Sequence, residues 1–167
     1  MKRGIYAGSF DPISLGHLDV VRRASLILDE IHVMIGVNPK KSAGLFDVEQ
    51  RIRLIQDSLD YMNWFGRHKD AFIVGDFTCL LVEYCQEHEI KFNVRGLRAA
   101  QDFNSEFEMH LINCDIAPGI DTIFLPAPPE FQFLSSSAIK ELASHNSPAV
   151  RKYVTPTVAD ALQNVNV

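Results

Sequence analysis

Apolar positions along the chain switch repeatedly between a spacing of two and a spacing of three to four residues. Arg3 to Ala7 reads as a short buried strand, and Val20, Val21, Ala24, Ile27 and Leu28 then mark one face of a helix. Ile31, Val33, Ile35 and Val37 alternate, predicting a second strand over residues 31–37. Asp47-Val48-Glu49-Gln50 has the form of a capping box, opening a helix through about residue 59. Residues 71–74 predict a third strand. Leu81, Tyr84, Cys85 and His88 share a helical face beginning near residue 78, and residues 91–95 predict a fourth strand. Phe103, Phe107, Leu111 and Cys114 form the stripe of the next helix, and residues 122–125 predict a fifth strand. From Ser135 onward helical segments are interrupted at Pro148 and Pro156. Strand and helix alternating in this way predict an α/β fold: a doubly wound, five-stranded parallel sheet, Rossmann-like, with a C-terminal helical segment. No repeat, low-complexity tract or linker interrupts it, so residues 1–167 read as one domain.

Composition removes several functional classes. The net charge of −5 argues against non-specific nucleic-acid binding, which needs a broad basic surface. No apolar run approaches membrane-spanning length, and the N-terminus enters a strand without a signal-peptide pattern. Cys79, Cys85 and Cys114 lack metal-ligand or C-x-x-C spacing, which points to reduced thiols in a cytoplasmic protein. Cys85 and Cys114 fall on helical stripes and read as core fillers.

Candidate chemistry collects at the carboxyl ends of the predicted strands, where an open α/β sheet places its ligands. Gly8-Ser9-Phe10-Asp11-Pro12 and Gly16-His17 occupy the first strand-to-helix crossing. Gly8 lets backbone approach a bound group, Pro12 stiffens the loop, and the free N–H groups of a helix start suit a phosphate. His17 is aimed at that phosphate. Each of these residues alone is more often part of an ordinary turn; their combination on one strand-loop-helix unit is what points to a site. Asn38-Pro39-Lys40-Lys41 follows the second strand and offers a flexible point charge from either lysine. Arg95-Gly96-Leu97-Arg98 follows the fourth strand, on a loop where two planar, permanently charged donors can turn towards one polyanion. Ser135, Ser136 and Ser137 open a helix after the fifth strand, forming a second N-terminal phosphate cradle. Phe131 reads equally as a wall for a nucleobase or as a core aromatic.

The first motif resembles the signature of the nucleotidylyltransferase superfamily, a Gly-x-Phe-Asp-Pro run followed by His-x-Gly-His or Thr-x-Gly-His. Here Ser14 stands at the first position of the second element. With Arg95-Gly96-Leu97-Arg98, Asp102-Phe103-x-x-Glu106 and Leu134-Ser135-Ser136-Ser137 added, the resemblance narrows to the bacterial phosphopantetheine adenylyltransferase family, from Tyr6 to about Glu141. The chain departs from that family at Ser9, where threonine is common, at Phe131, where a larger aromatic is common, and at Thr78-Cys79, where Gly-Leu is usual.

The resemblance implies transfer of the adenylyl group of ATP to 4′-phosphopantetheine, giving dephospho-coenzyme A and pyrophosphate. It implies that His17 donates to the α-phosphate in the transition state, and that Ser9, Lys41 and Arg95 hold the acceptor phosphate. Lys41 falls on the family's Asn-Pro-x-Lys pattern, and the loop carries an extra residue before Phe46. Arg98, Ser136 and Ser137 would hold the ATP phosphates, and Glu106 would fix the nucleotide. Ser9, Phe10, Gly96 and Leu97 complete the implied ATP contacts near the first motif and the arginine segment. Phe131, Gln132, Phe133, Leu134 and Ser135 complete them on the serine side. Leu81, Met109 and Asn113 are the implied walls for the pantetheine arm. Mg²⁺ would be held through ATP phosphates and water with no protein metal cage, and a homohexamer with coenzyme A as feedback ligand is implied too. The alternatives are an adenylyltransferase acting on nicotinate or nicotinamide mononucleotide, and a non-catalytic nucleotide sensor. A dehydrogenase is disfavoured because the first loop lacks G-x-G-x-x-G.

Overall fold

The computed structural model describes residues 1–38, 44–62 and 71–165. Five parallel strands form the sheet: β1 (Arg3–Gly8), β2 (Glu30–Gly36), β3 (Phe72–Phe77), β4 (Phe92–Leu97) and β5 (Asp121–Pro126). Their order is β3-β2-β1-β4-β5. Between them run α1 (Leu15–Ala24), α2 (Val48–Met62), α3 (Leu81–Glu87) and α4 (Ala100–Ile116). Helices α5 (Ser136–Ser144) and α6 (Pro156–Asn164) follow, separated by a 3₁₀ turn, Pro148–Lys152. The predicted doubly wound sheet with its C-terminal helices is what forms.

Side-chain alternation in β1 and β2 feeds two different cores. Tyr6, Ile31, Val33 and Ile35 face a large cluster with Leu18, Val21, Leu54, Ile139 and Val158, which seats α1, α2, α5 and α6. Ile5, Ala7 and Met34 face the other way, onto a smaller cluster with Val82, Tyr84, Cys85 and Ile120. The chain reverses its winding between β1 and β4. Their register pairs only Gly4 with Phe92 and Ile5 with Asn93, whereas β1 and β2 pair from Arg3 to Gly8. Beyond Ile5 the two central strands part, and the crevice opens there at the switch point.

Several boundaries move from the predicted ones for local reasons. The α1 helix stops at Ala24 with Ser25 as its cap, so Ile27 is half-exposed while Leu28 packs into the core from the loop. The α2 capping box is present: Asp47 Oδ1 accepts from Gln50 N at 2.7 Å and Gln50 Oε1 from Asp47 N at 3.0 Å. The α2 helix runs on to Met62. The third strand extends to Phe77 because its ladder with β2 continues to Gly36. As a result α3 starts at Leu81, not near residue 78. The fourth strand runs on past its predicted end at Arg95 to take in Gly96 and Leu97, which pair with Leu125 and Pro126 where a loop is predicted. Pro148 and Pro156 each start a helical turn at the first positions, where the missing N–H costs nothing. Helix α4 is the largest surprise: it forms where its stripe predicted, yet none of its residues is buried. Cys114 is accordingly only partly buried, unlike Cys85.

Candidate active site

At the β1–β4 divergence lies a cavity of about 340 Å³ whose walls come from the β1–α1 loop, the end of β4, the start of α4 and the start of α5. One wall is built around His17. Ser14 is the N-cap of α1, its Oγ accepting from His17 N at 3.3 Å, while Ser14 N donates to His17 Nδ1 at 3.1 Å. A backbone N–H can only donate, so Nδ1 is the acceptor and the neutral ring carries its proton on Nε2. Burial pushes the His17 pKa down to about 4, and the positive charges of Arg98 and Arg95 add to that. Near neutral pH the cavity therefore presents an uncharged imidazole with one fixed N–H donor.

The loop behind His17 is rigidly underpinned. Phe10 adopts a left-handed φ of 43°, and its ring, fully buried, lies edge-on to His17 at 5.2 Å. That ring also explains Gly8: a Cβ there would meet Phe10 ring atoms at 3.0–3.3 Å. Asp11 is buried and accepts from Leu45 N and Phe46 N, each at 2.9 Å. It also pairs with Arg51 of α2 at 3.3 Å and Lys140 of α5 at 3.2 Å. Burial alone would raise the Asp11 pKa, but the two N–H groups and two cations outweigh it and lower it.

The opposite wall carries the arginines. Arg95 forms a two-pronged pair with Glu106 of α4, Nε to Oε2 at 2.6 Å and Nη2 to Oε1, and its Nη1 donates to the Ala7 carbonyl at 2.7 Å. Arg98 leans on Asp102 one helical turn later, Nε to Oδ2 at 3.1 Å, with its own N–H on the same oxygen at 3.0 Å. Both acids on this wall are thus engaged with arginines while themselves lining the cavity. Gly96 is required by packing, since a Cβ would lie 2.9 Å from Val20 of α1.

The serine run closes the third side. Ser135 is the N-cap of α5, its Oγ accepting from Ala138 N at 3.1 Å, and Ser136 Oγ donates to the Pro12 carbonyl at 2.9 Å. Ser135 thus caps α5 from its own N-terminus, while Ser136 ties its first turn to the β1–α1 loop; a helix start of this kind suits an anion.

Most residues singled out in the sequence come together here. Ser9, Phe10, His17, Arg95, Gly96 and Arg98 line the cavity, as do Glu106, Phe131, Leu134 and Ser135 to Ser137. Leu97, Gln132 and Phe133 are not in its walls; Phe133 is exposed and packs edge-on to Tyr153 at 5.5 Å. Leu81, Met109 and Asn113 also lie outside them. Leu81 packs against the smaller core, beside a shallower groove of about 620 Å³ lined by Val37, Asn38, Phe77, Thr78, Cys79 and Leu80. Lys40 and Lys41 lie outside the described residues. The sequence reading missed Asp11 as an anchor, together with Arg51 and Lys140, whose charges carried no local pattern. It missed Ser14 as the group that sets the His17 tautomer, although Ser-x-x-His at a helix start was the available signal.

The cytidylyltransferase-like family profile matches residues 5–142. Phosphopantetheine adenylyltransferase of Thermotoga neapolitana is 43% identical, covering 95% of this chain and 92% of its own length. The enzyme of the same name from Streptomyces coelicolor is 41% identical, covering 97% and 96%. The chain belongs to the phosphopantetheine adenylyltransferase family. Among solved structures, Plasmodium falciparum nicotinic acid mononucleotide adenylyltransferase complexed with NaAD superposes with a TM-score of 0.71 at 17% identity, covering 98% of this chain and 96% of that one. A Vibrio parahaemolyticus protein described as a putative nicotinate-nucleotide adenylyltransferase gives 0.70 at 21%, covering 98% and 93%. At such identities these two speak for the shared nucleotidylyltransferase fold. The family membership rests on the full-length relatives, and the fold and the membership agree.

Proposed function

We propose that this chain transfers the adenylyl group of ATP to 4′-phosphopantetheine, releasing pyrophosphate and forming dephospho-coenzyme A. The observation that carries this reading is the neutral His17 donor, fixed by Ser14 and facing two arginines across one cavity. The acceptor's phosphate oxygen is already ionised near neutral pH, so no general base is needed. It attacks the α-phosphorus in line; a new P–O bond forms as the bond to the β-phosphate oxygen breaks, and the electron pair leaves with pyrophosphate. What the protein must supply is alignment and donors for charge on the α-phosphate. His17 donates its Nε2–H there without giving up the proton. Arg98 and the N–H groups of Ser136 and Ser137 hold the β- and γ-phosphates. Arg95, braced by Glu106, holds the acceptor phosphate with Ser9 and Lys41. Phe131 flanks the adenine, and the Thr78–Leu80 groove beside Leu81 receives the pantetheine arm; Met109 and Asn113 of α4 are assigned to that arm by the family resemblance alone.

Mg²⁺ would supply charge neutralisation on the polyphosphate. The donor set fits an ion brought in by ATP and held by phosphate and water, because Asp102 and Glu106 are both engaged by arginines. Among the described residues no group of three His, Cys, Asp or Glu side chains is placed to hold a metal. We take residues 1–167 as one catalytic domain working in the cytoplasm; no described helix is long and apolar enough to cross a membrane. Met109, Leu111, Ile112 and Ile116 leave α4 with a half-exposed apolar face. That face supports self-association, read by family resemblance as a homohexamer, with coenzyme A as a feedback ligand.

The deciding experiment incubates the protein with ATP and either 4′-phosphopantetheine or nicotinate mononucleotide and measures pyrophosphate. Release with the first acceptor is expected. Release with the second alone would transfer the chain to the sibling activity, and none with either would leave a nucleotide sensor.

A further inference from the structure

Tyr6 sits on β1 where β1 and β4 part, and its ring joins the aromatic group around the catalytic histidine. It lies edge-on to Phe10 at 5.3 Å and 6.4 Å from the His17 ring. Across the crevice, a Cβ placed on Gly96 would stand 3.7 Å from the Tyr6 hydroxyl, so that oxygen hangs over the glycine of the Arg95–Arg98 segment. The residue is only 6% exposed, yet it is part of the cavity wall. A buried phenol ordinarily finds a hydrogen-bond partner, because leaving it without one costs stability. Tyr6 has none among the described residues. The fully sealed side-chain atoms lacking partners there are Arg23 Nη2 and Asn93 Oδ1; the Tyr6 oxygen is not one of them, and its remaining exposure is to the cavity. A phenylalanine would pack equally well against Phe10, so core packing does not call for the hydroxyl.

We propose that the Tyr6 hydroxyl is a further substrate-contacting group of this site, donating a hydrogen bond to a phosphate oxygen held between His17 and Arg95. This deepens the adenylyl-transfer reading and rests on it. Burial raises the phenol pKa above its ordinary range; Arg95 and Arg98 pull it down, Glu106 pushes it up, and burial wins. The group is therefore an uncharged donor at working pH, and never a phenolate that would repel the anion. It serves as a second neutral donor beside His17, with the arginines supplying the charge.

The test is Tyr6→Phe, which removes one oxygen and keeps the ring. Expected are an unchanged melting temperature, a kcat/KM about tenfold lower, and an affinity for ATP or for 4′-phosphopantetheine reduced while adenosine affinity is kept. Separate KM values for ATP and for the acceptor show which substrate's phosphate the hydroxyl serves. Unchanged kcat/KM for both substrates overturns the proposal, and so does an equal loss for adenosine and ATP, which would mark a merely structural role. Should the variant fail to fold, 3-fluorotyrosine at position 6 keeps the hydroxyl. Its ¹⁹F resonance should move with ATP and not with adenosine, and equal movement with both overturns the proposal. Absence of dephospho-coenzyme A from the unmodified protein would instead sink the activity, leaving the binding measurements to judge Tyr6 alone.

Discussion

The two walls of the cavity achieve a fixed geometry by opposite means. On the histidine wall the functional group is neutral, and its orientation is set within four residues by a helix cap. On the arginine wall the functional groups are charged, and each is held by a carboxylate: Glu106 lies 11 residues from Arg95, and Asp102 four from Arg98. The first wall needs a packed aromatic surround, which Tyr6 and Phe10 supply. The second tolerates solvent, because an arginine keeps its charge and a paired carboxylate keeps its aim. An anion arriving between them meets one donor that costs nothing to uncover and two cations that must share themselves with existing partners. Reaction specificity is therefore expected to depend on the histidine wall, and affinity on the arginine wall.

The sharpest way to break that division is His17→Ala. Turnover should fall by at least ~10²-fold while ATP affinity stays within a few-fold, since one preorganised donor to developing charge is worth about 3 kcal/mol. Steady-state kinetics alongside calorimetric ATP titration decide it; equal losses in rate and in ground-state affinity would make His17 a binding residue and merge the two walls.

Asp11→Asn tests whether the histidine wall depends on its buried anchor. Replacing a carboxylate that accepts two backbone N–H groups and faces Arg51 and Lys140 should destabilise the fold by about 2–3 kcal/mol at pH 7. The folded pKa of Asp11 lies below its ordinary value of 3.8, so its stabilisation is complete above that value and lost as pH falls through the folded pKa. Urea unfolding of both proteins should show the stability gap closing only below about pH 4; a gap independent of pH would mean that the charge is irrelevant there.

On the other wall, Arg95→Ala should weaken acceptor binding and Arg98→Ala the ATP side, each by about tenfold, with lysine restoring only part. Titration of each variant with each substrate measures this. Identical losses for both ligands in both variants would show one undivided anion site.

The smallest effect is spectroscopic. In the ligand-free protein the His17 ring should titrate at about 4 instead of 6.5, as followed by NMR of its ring protons. Because the unfolded chain takes up that proton first, folding stability should decline as pH drops from 6.5 towards 4, with no contribution from His17 above that window. A midpoint near 6.5 would show the histidine wall to be open to water and as polar as its counterpart.

Helices α1 and α4 show how far the apolar pattern could be trusted. Both have apolar residues at helical spacing, and both are helices. Leu18, Val20, Val21 and Ala24 of α1 are buried, whereas Leu111, Ile112 and Ile116 of α4 remain half-exposed. Periodicity states that a face seeks an apolar partner; it does not say whether that partner lies in the same chain. The same limit applied to Arg95-Gly96-Leu97-Arg98, where glycine and charge suggested a loop but pairing with β5 extended the strand through Leu97.

What the sequence determined by itself was local: the alternation of strand and helix, the capping box at Asp47, the serine cap at Ser135, and the motifs at helix starts that line the cavity. These follow from interactions within a few residues, which a linear string displays. The tertiary structure decided what long-range pairing decides: the parting of β1 and β4 that opens the cavity, and the capture of Glu106 by Arg95. It also decided the convergence of Arg51 and Lys140 on Asp11, and the burial that keeps His17 neutral. Burial and ion pairing between residues 11 to 129 positions apart are properties of packing, and no window of sequence contains them.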